Sequence, residues 1–103
     1  MKPQIQQYLL TGLLKYTASL HPNAPQNLAG TPTSTSVSLT WTAVSGATSY
    51  KVYRDGVSVG SPTTNSFNNT GLTASTEYDY QVSAVNAAGE GTKSAVLTVT
   101  TLA

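Results

Sequence analysis

The chain has 103 residues, room for one domain with a single core and little more. It contains no cysteine, which excludes a disulfide framework and thiolate chemistry. Charged residues make up 9% and the formal net charge is +1, too weak a field to hold nucleic acid. No apolar run approaches the ~20 residues of a membrane-spanning helix.

Residues 3–20 read as a helix. Pro3 suits the first helical position, where its missing N–H costs nothing. Ile5, Leu9, Leu13, Tyr16 and Leu20 recur at spacings of four, four, three and four, which sets them along one face. Tyr8 borders that stripe on one side, and Leu10 and Leu14 widen it on the other. Pro22 stops the helix, because the residue before a proline disfavours the α region. The basic-start, apolar-core, small-residue pattern of a cleaved signal is poorly matched here. An apolar arc of this width needs a cover, since burying each Leu or Ile is worth roughly 1.5–3 kcal/mol. Three covers are open: the chain's own β-layers, a neighbouring domain of which the helix is the end, or a protein partner that includes a second copy. The width of the arc favours a partner. Residues 21–25 then form a stiff, extended linker with two prolines, so the expected division is 1–22 for the helix and linker start and 23–103 for a β-domain.

The rest reads as short strands between turn residues. Leu28 points inward on a first strand, and Gly30-Thr31-Pro32 turns the chain. Residues 36–42 alternate cleanly, with Val37, Leu39 and Trp41 on the dry face. A loop at 44–48 leads to a strand at 49–54 with Tyr50 and Val52 inward and Tyr53 outward. Asp55-Gly56 then marks a tight hairpin into Val57-Ser58-Val59. After a loop at 60–65, residues 66–68 form a short strand with Phe67 buried. Tyr80, Val82 and Ala84 face inward on the strand that follows Tyr78, and a loop at 86–91 precedes a last strand at 94–101 with Leu97 and Val99 inward.

No set of residues here carries chemistry. Asp55 belongs to a turn, Glu77 to the segment from Leu72 to Tyr78, Glu90 to a mobile loop, and Asp79 points outward. That leaves no facing carboxylate pair. His21, the one histidine, sits in the linker without acidic or thiol neighbours, which favours a helix C-terminal role over a ligand or base. The expectation is no enzyme activity, no metal and no cofactor.

Trp41 on an early strand, Tyr50-Lys51-Val52-Tyr53 on the next, and the Leu72-to-Tyr78 corner resemble the fibronectin type III domain over roughly residues 24–102. The resemblance implies an all-β, seven-stranded antiparallel immunoglobulin-like sandwich, here preceded by the amphipathic helix. It also implies that Leu72 plugs the end of the core while the Tyr78 hydroxyl bonds the corner backbone, a tyrosine corner. Trp41, Tyr50, Val52, Leu72, Tyr78, Tyr80 and Val82 are then the structural core. Ser83-Ala84-Val85-Asn86-Ala87-Ala88-Gly89 resembles bacterial members, which serve as spacers in secreted polysaccharide-degrading enzymes and in phage virion proteins. The implied function is a non-catalytic module at the cell exterior or virion surface. Its helix face, Ile5, Tyr8, Leu9, Leu10, Leu13, Leu14, Tyr16 and Leu20, docks a protein partner or a second copy; the alternative is a spacer within a secreted enzyme. Family members also bind through loops, here 43–48 and 86–92, but these hold Ala, Gly, Ser and Thr rather than the Tyr, Trp and Arg that anchor interfaces.

Overall fold

The computed structural model describes residues 21–103, so the expected helix and its face lie outside the described residues. Among the described residues eight strands form two antiparallel sheets. The first holds β1 (Ala29–Pro32), β2 (Val37–Thr40) and β5 (Ser66–Asn69) in the order β1-β2-β5. The second holds β4 (Val57–Gly60), β3 (Ser49–Arg54) and β6 (Glu77–Asn86), with β7 (Gly89–Glu90) and β8 (Leu97–Thr100) both paired to β6. β7 pairs near Val85 and Asn86, and β8 pairs from Glu77 to Tyr80. Between them the Gly91 N–H bonds the Ala84 carbonyl at 2.9 Å and the Ser94 N–H bonds the Val82 carbonyl at 2.7 Å. β7 and β8 are therefore two parts of one last strand, and the layout is the seven-stranded sandwich expected.

Alternation builds the core. Val37 and Leu39 of β2, Tyr50 and Val52 of β3, and Tyr80, Val82 and Ala84 of β6 are all buried between the sheets, with Trp41, Leu72 and Val99. The Asp55-Gly56 hairpin is a type I′ turn, with φ of 50° and 84° at the two positions, and it joins the paired residues Arg54 and Val57.

Three local expectations are corrected. Gly30-Thr31-Pro32 is strand, not turn, and pairs with residues 37–39. Proline is tolerated there because β1 is a sheet edge and needs no donor on its outer side. Phe67 is only half-buried, since it lies over Gly60 at the gap between the sheets. The buried residue of β5 is Asn69 instead. Glu90 is not in a mobile loop but in β7, opposite Val85.

The tyrosine corner forms: the Thr73 N–H donates to the Tyr78 hydroxyl at 3.0 Å. Tyr78→Phe leaves that donor to solvent and is expected to cost about 1 kcal/mol. The melting temperature then falls by about 4–8 °C in a thermal scan.

Candidate functional site

The predicted core residues Trp41, Tyr50, Val52, Leu72, Tyr80 and Val82 come together in one cluster, with Tyr78 partly buried at its margin. They hold the fold and offer no reactive surface. Trp41 meets Tyr50 edge-on, with ring centroids 5.3 Å apart, and the Tyr50 hydroxyl accepts the Val44 N–H at 2.9 Å. That bond ties the 43–48 loop to the core.

The arrangement most unlike plain sandwich surface lies on the outer face of the larger sheet. Ser83 of β6 alternates with Val82 and Ala84 and should be wet, yet it is fully buried. Its cover is a polar cluster. The Ser83 hydroxyl donates to Glu90 Oε2 at 2.6 Å, and the Tyr53 hydroxyl donates to the same oxygen. Lys51 Nζ stands 3.6 Å from Glu90 Oε1, and Lys93 Nζ lies 4.2 Å from the centre of the Tyr53 ring. Donation by Ser83 first, then by Tyr53, holds the Glu90 carboxyl below the usual carboxylate range, and the Lys51 and Lys93 charges add to this. The bond to Glu90 pushes the Tyr53 hydroxyl up, so it stays protonated and donating. With its oxygens occupied by donors, this carboxylate is an organiser of three strand segments. It is not poised to take a proton from a substrate.

Beside the cluster the chain enters the sandwich. Pro22 and Pro25 are buried, and a groove lined by residues 21–24 and Glu90, Gly91 and Thr92 marks the seam. A Cβ on Gly91 would stand 2.1 Å from the Pro22 carbonyl oxygen, so only glycine permits this approach. The His21 ring lies over Gly89, with Nε2 3.3 Å from where a Cβ would be. The expected linker is thus seated on the last strand. Stiff prolines were legible as a spacer, but their landing place was not.

The other carboxylates serve structure. Asp55 Oδ1 accepts the Asp79 N–H at 3.0 Å, and Asp79 Oδ1 accepts the Thr98 hydroxyl at 2.6 Å. Among the described residues no three His, Asp or Glu side chains are grouped to hold a metal ion.

Two facing antiparallel sheets and a tyrosine corner define an immunoglobulin-like sandwich domain. The fibronectin type III domain model matches residues 23–100, and the chain belongs to that family. It is 52% identical over 81 residues to a poly(3-hydroxybutyrate) depolymerase of Ralstonia pickettii, covering 77% of this chain and 17% of that protein. It is 51% identical over 87 residues to exoglucanase B of Cellulomonas fimi, covering 80% of this chain and 8% of the relative. A tail tube protein of Bacillus phage SPP1 is 46% identical over 81 residues, 77% of this chain and 31% of that one. Among solved structures, a chitinase from Bacillus thuringiensis superposes with a TM-score of 0.71 at 34% identity, over 80% of this chain and 14% of the chitinase. The chain thus spans less than a third of the length of each of these relatives.

Proposed function

We propose that this chain is a non-catalytic mounting module of an extracellular or virion-surface assembly. Its sandwich is displayed, and the segment before residue 21 fastens it to a protein neighbour. The observation that carries the reading is the seated entry: Pro22 and Pro25 are buried and the Pro22 carbonyl packs on Gly91. A segment fixed in this way leaves the domain in a set direction, as a mount or spacer requires. The relatives support it from another side. Similar stretches occur in proteins named for depolymerase, exoglucanase and tail tube roles, so what they share with this chain is the module and not one chemistry. In this reading the apolar face of Ile5, Leu9, Leu13 and their neighbours is the fastening surface.

A second reading is a spacer inside a polymer-degrading enzyme. It is favoured by the small share, 8% and 17%, that the domain takes of the exoglucanase and the depolymerase.

Light scattering on a sizing column tests the fastening, with the full chain compared to Leu9→Asp and Leu13→Asp. The expected result is an assembly that both substitutions dissolve while the melting temperature of the sandwich holds. If the wild-type chain is a monomer and each substitution lowers its melting, the segment packs on its own sandwich and the fastening role is lost.

A further inference from the structure

β7 is the shortest strand of the larger sheet. It has two residues and two register pairs, Val85 with Glu90 and Asn86 with Gly89, before the chain leaves the ladder at Thr92 and Lys93. The Gly91 bond to the Ala84 carbonyl and the Ser94 bond to the Val82 carbonyl extend this pairing, with Thr92 and Lys93 between them outside the ladder, and local opening free energies track such sparse pairing. Yet β7 carries the seam, because Gly91 receives the Pro22 carbonyl and Gly89 lies under His21. The Glu90 side chain supplies what the ladder lacks. It reaches across the outer face to the buried Ser83 on β6 and to Tyr53 and Lys51 on β3.

We propose that Glu90 is a latch: its ionised carboxylate pins β7 to β6 and β3, and thereby holds the entry segment and the sandwich as one rigid body. This rests on the mounting role proposed above and names the residue that sets its stiffness. Glu90 is a positioning residue, acting on the seam through Gly89 and Gly91. Charge-assisted hydrogen bonds to the two hydroxyls are about twice as strong as neutral ones, and Lys51 stands in ion-pair range at 3.6 Å, so removing the charge is the decisive change.

The groups facing Glu90 are Tyr53 and Lys51 from β3, Ser83 from β6, Lys93 beyond β7, and the His21 ring over Gly89 on the neighbouring segment. The two hydroxyls and both lysines favour the ionised carboxylate, which agrees with its lowered pKa. A group with a depressed folded pKa stabilises above its unfolded pKa, and that contribution is lost as pH falls through the folded value. The latch is therefore closed at neutral pH and opens as pH falls below the ordinary carboxylate range.

The test is amide hydrogen exchange and ¹⁵N relaxation on the full chain, comparing wild type, Glu90→Gln and Tyr53→Phe. In Glu90→Gln at neutral pH, exchange at Gly91 is expected to rise on the order of tenfold or more, and the Asn23 and Ala24 amides to gain fast motion. The Val82 and Tyr80 amides should be unchanged. Tyr53→Phe, which keeps Lys51 and Ser83, should move the same amides less. Wild type should reach the Glu90→Gln values as pH falls below the ordinary carboxylate range. If wild type is rigid at Asn23 and Ala24 and both variants match it, Glu90 is no latch and the mounting role stands. If Asn23 and Ala24 are already mobile in wild type at neutral pH, the mounting role itself fails. Should Glu90→Gln be globally unfolded, Tyr53→Phe decides: unchanged Gly91 exchange overturns the latch.

Discussion

Trp41→Ala is expected to destabilise the domain by about 3–5 kcal/mol, the range for truncating a buried aromatic. Trp41 is 3% exposed and packs edge-on against Tyr50, at 69° between ring planes. Its removal opens a cavity between the sheets and frees the Tyr50 ring to shift. The Tyr50 hydroxyl accepts the Val44 N–H, so the 43–48 loop loosens with it. A domain of this size loses about 4–8 °C of melting temperature per kcal/mol, which puts the expected drop at roughly 15 °C or more. Trp41→Phe should cost far less. It keeps most of the apolar volume and removes an indole N–H that is buried without a protein acceptor among the described residues. Thermal scans of both variants check this. Equal losses would mean that the indole ring size, and not the aromatic contact, holds the site.

The second large effect is expected at Asn69. Its Oδ1 accepts the Tyr80 hydroxyl at 2.7 Å and Arg54 Nη1 at 3.1 Å, and Tyr80 is fully buried. Asn69→Ala strands the hydroxyl in the core, and an unsatisfied buried polar group costs about 1–3 kcal/mol. Tyr80→Phe should cost less, since Asn69 keeps its bond from Arg54. In the double variant the two losses should not add, because no buried hydroxyl remains unpaired. Denaturant titrations of the three variants measure the coupling, and strict additivity would remove the shared bond from the account. The same residue gives a pH signature. Burial pushes the Tyr80 hydroxyl up to about 12, against the opposing pull of Arg54. The neutral form is thus favoured in the folded state. Its contribution is complete below the unfolded value of about 10 and is lost as pH rises from there to about 12. Tyr80→Phe should flatten the fall in melting temperature over that window.

The strands with one dry face were the legible ones. Val37, Leu39 and Trp41, then Tyr50 and Val52, then Tyr80, Val82 and Ala84 alternate because each strand meets the core on a single side. The Asp55-Gly56 hairpin was equally plain, since the turn demands positive φ at both positions and few residue pairs accept it. Where the two-residue period breaks, the reading failed. Gly30 and Pro32 look like turn residues, and only pairing with β2 makes them an edge strand. β7 is two residues long, too short to show any period.

Local chemistry and periodicity, written in the sequence alone, determined the alternating strands, their inner residues and the hairpin, because those depend on neighbours a few positions away, while the sandwich and its corner were legible through the resemblance to a family. The tertiary structure alone decided where distant polar groups meet. Glu90 and Tyr53 are 37 positions apart, Asn69 joins Arg54 and Tyr80 across 15 and 11, and Pro22 finds Gly91. Each of these contacts exists because strand order brings the segments together, and strand order leaves no periodic mark in the sequence.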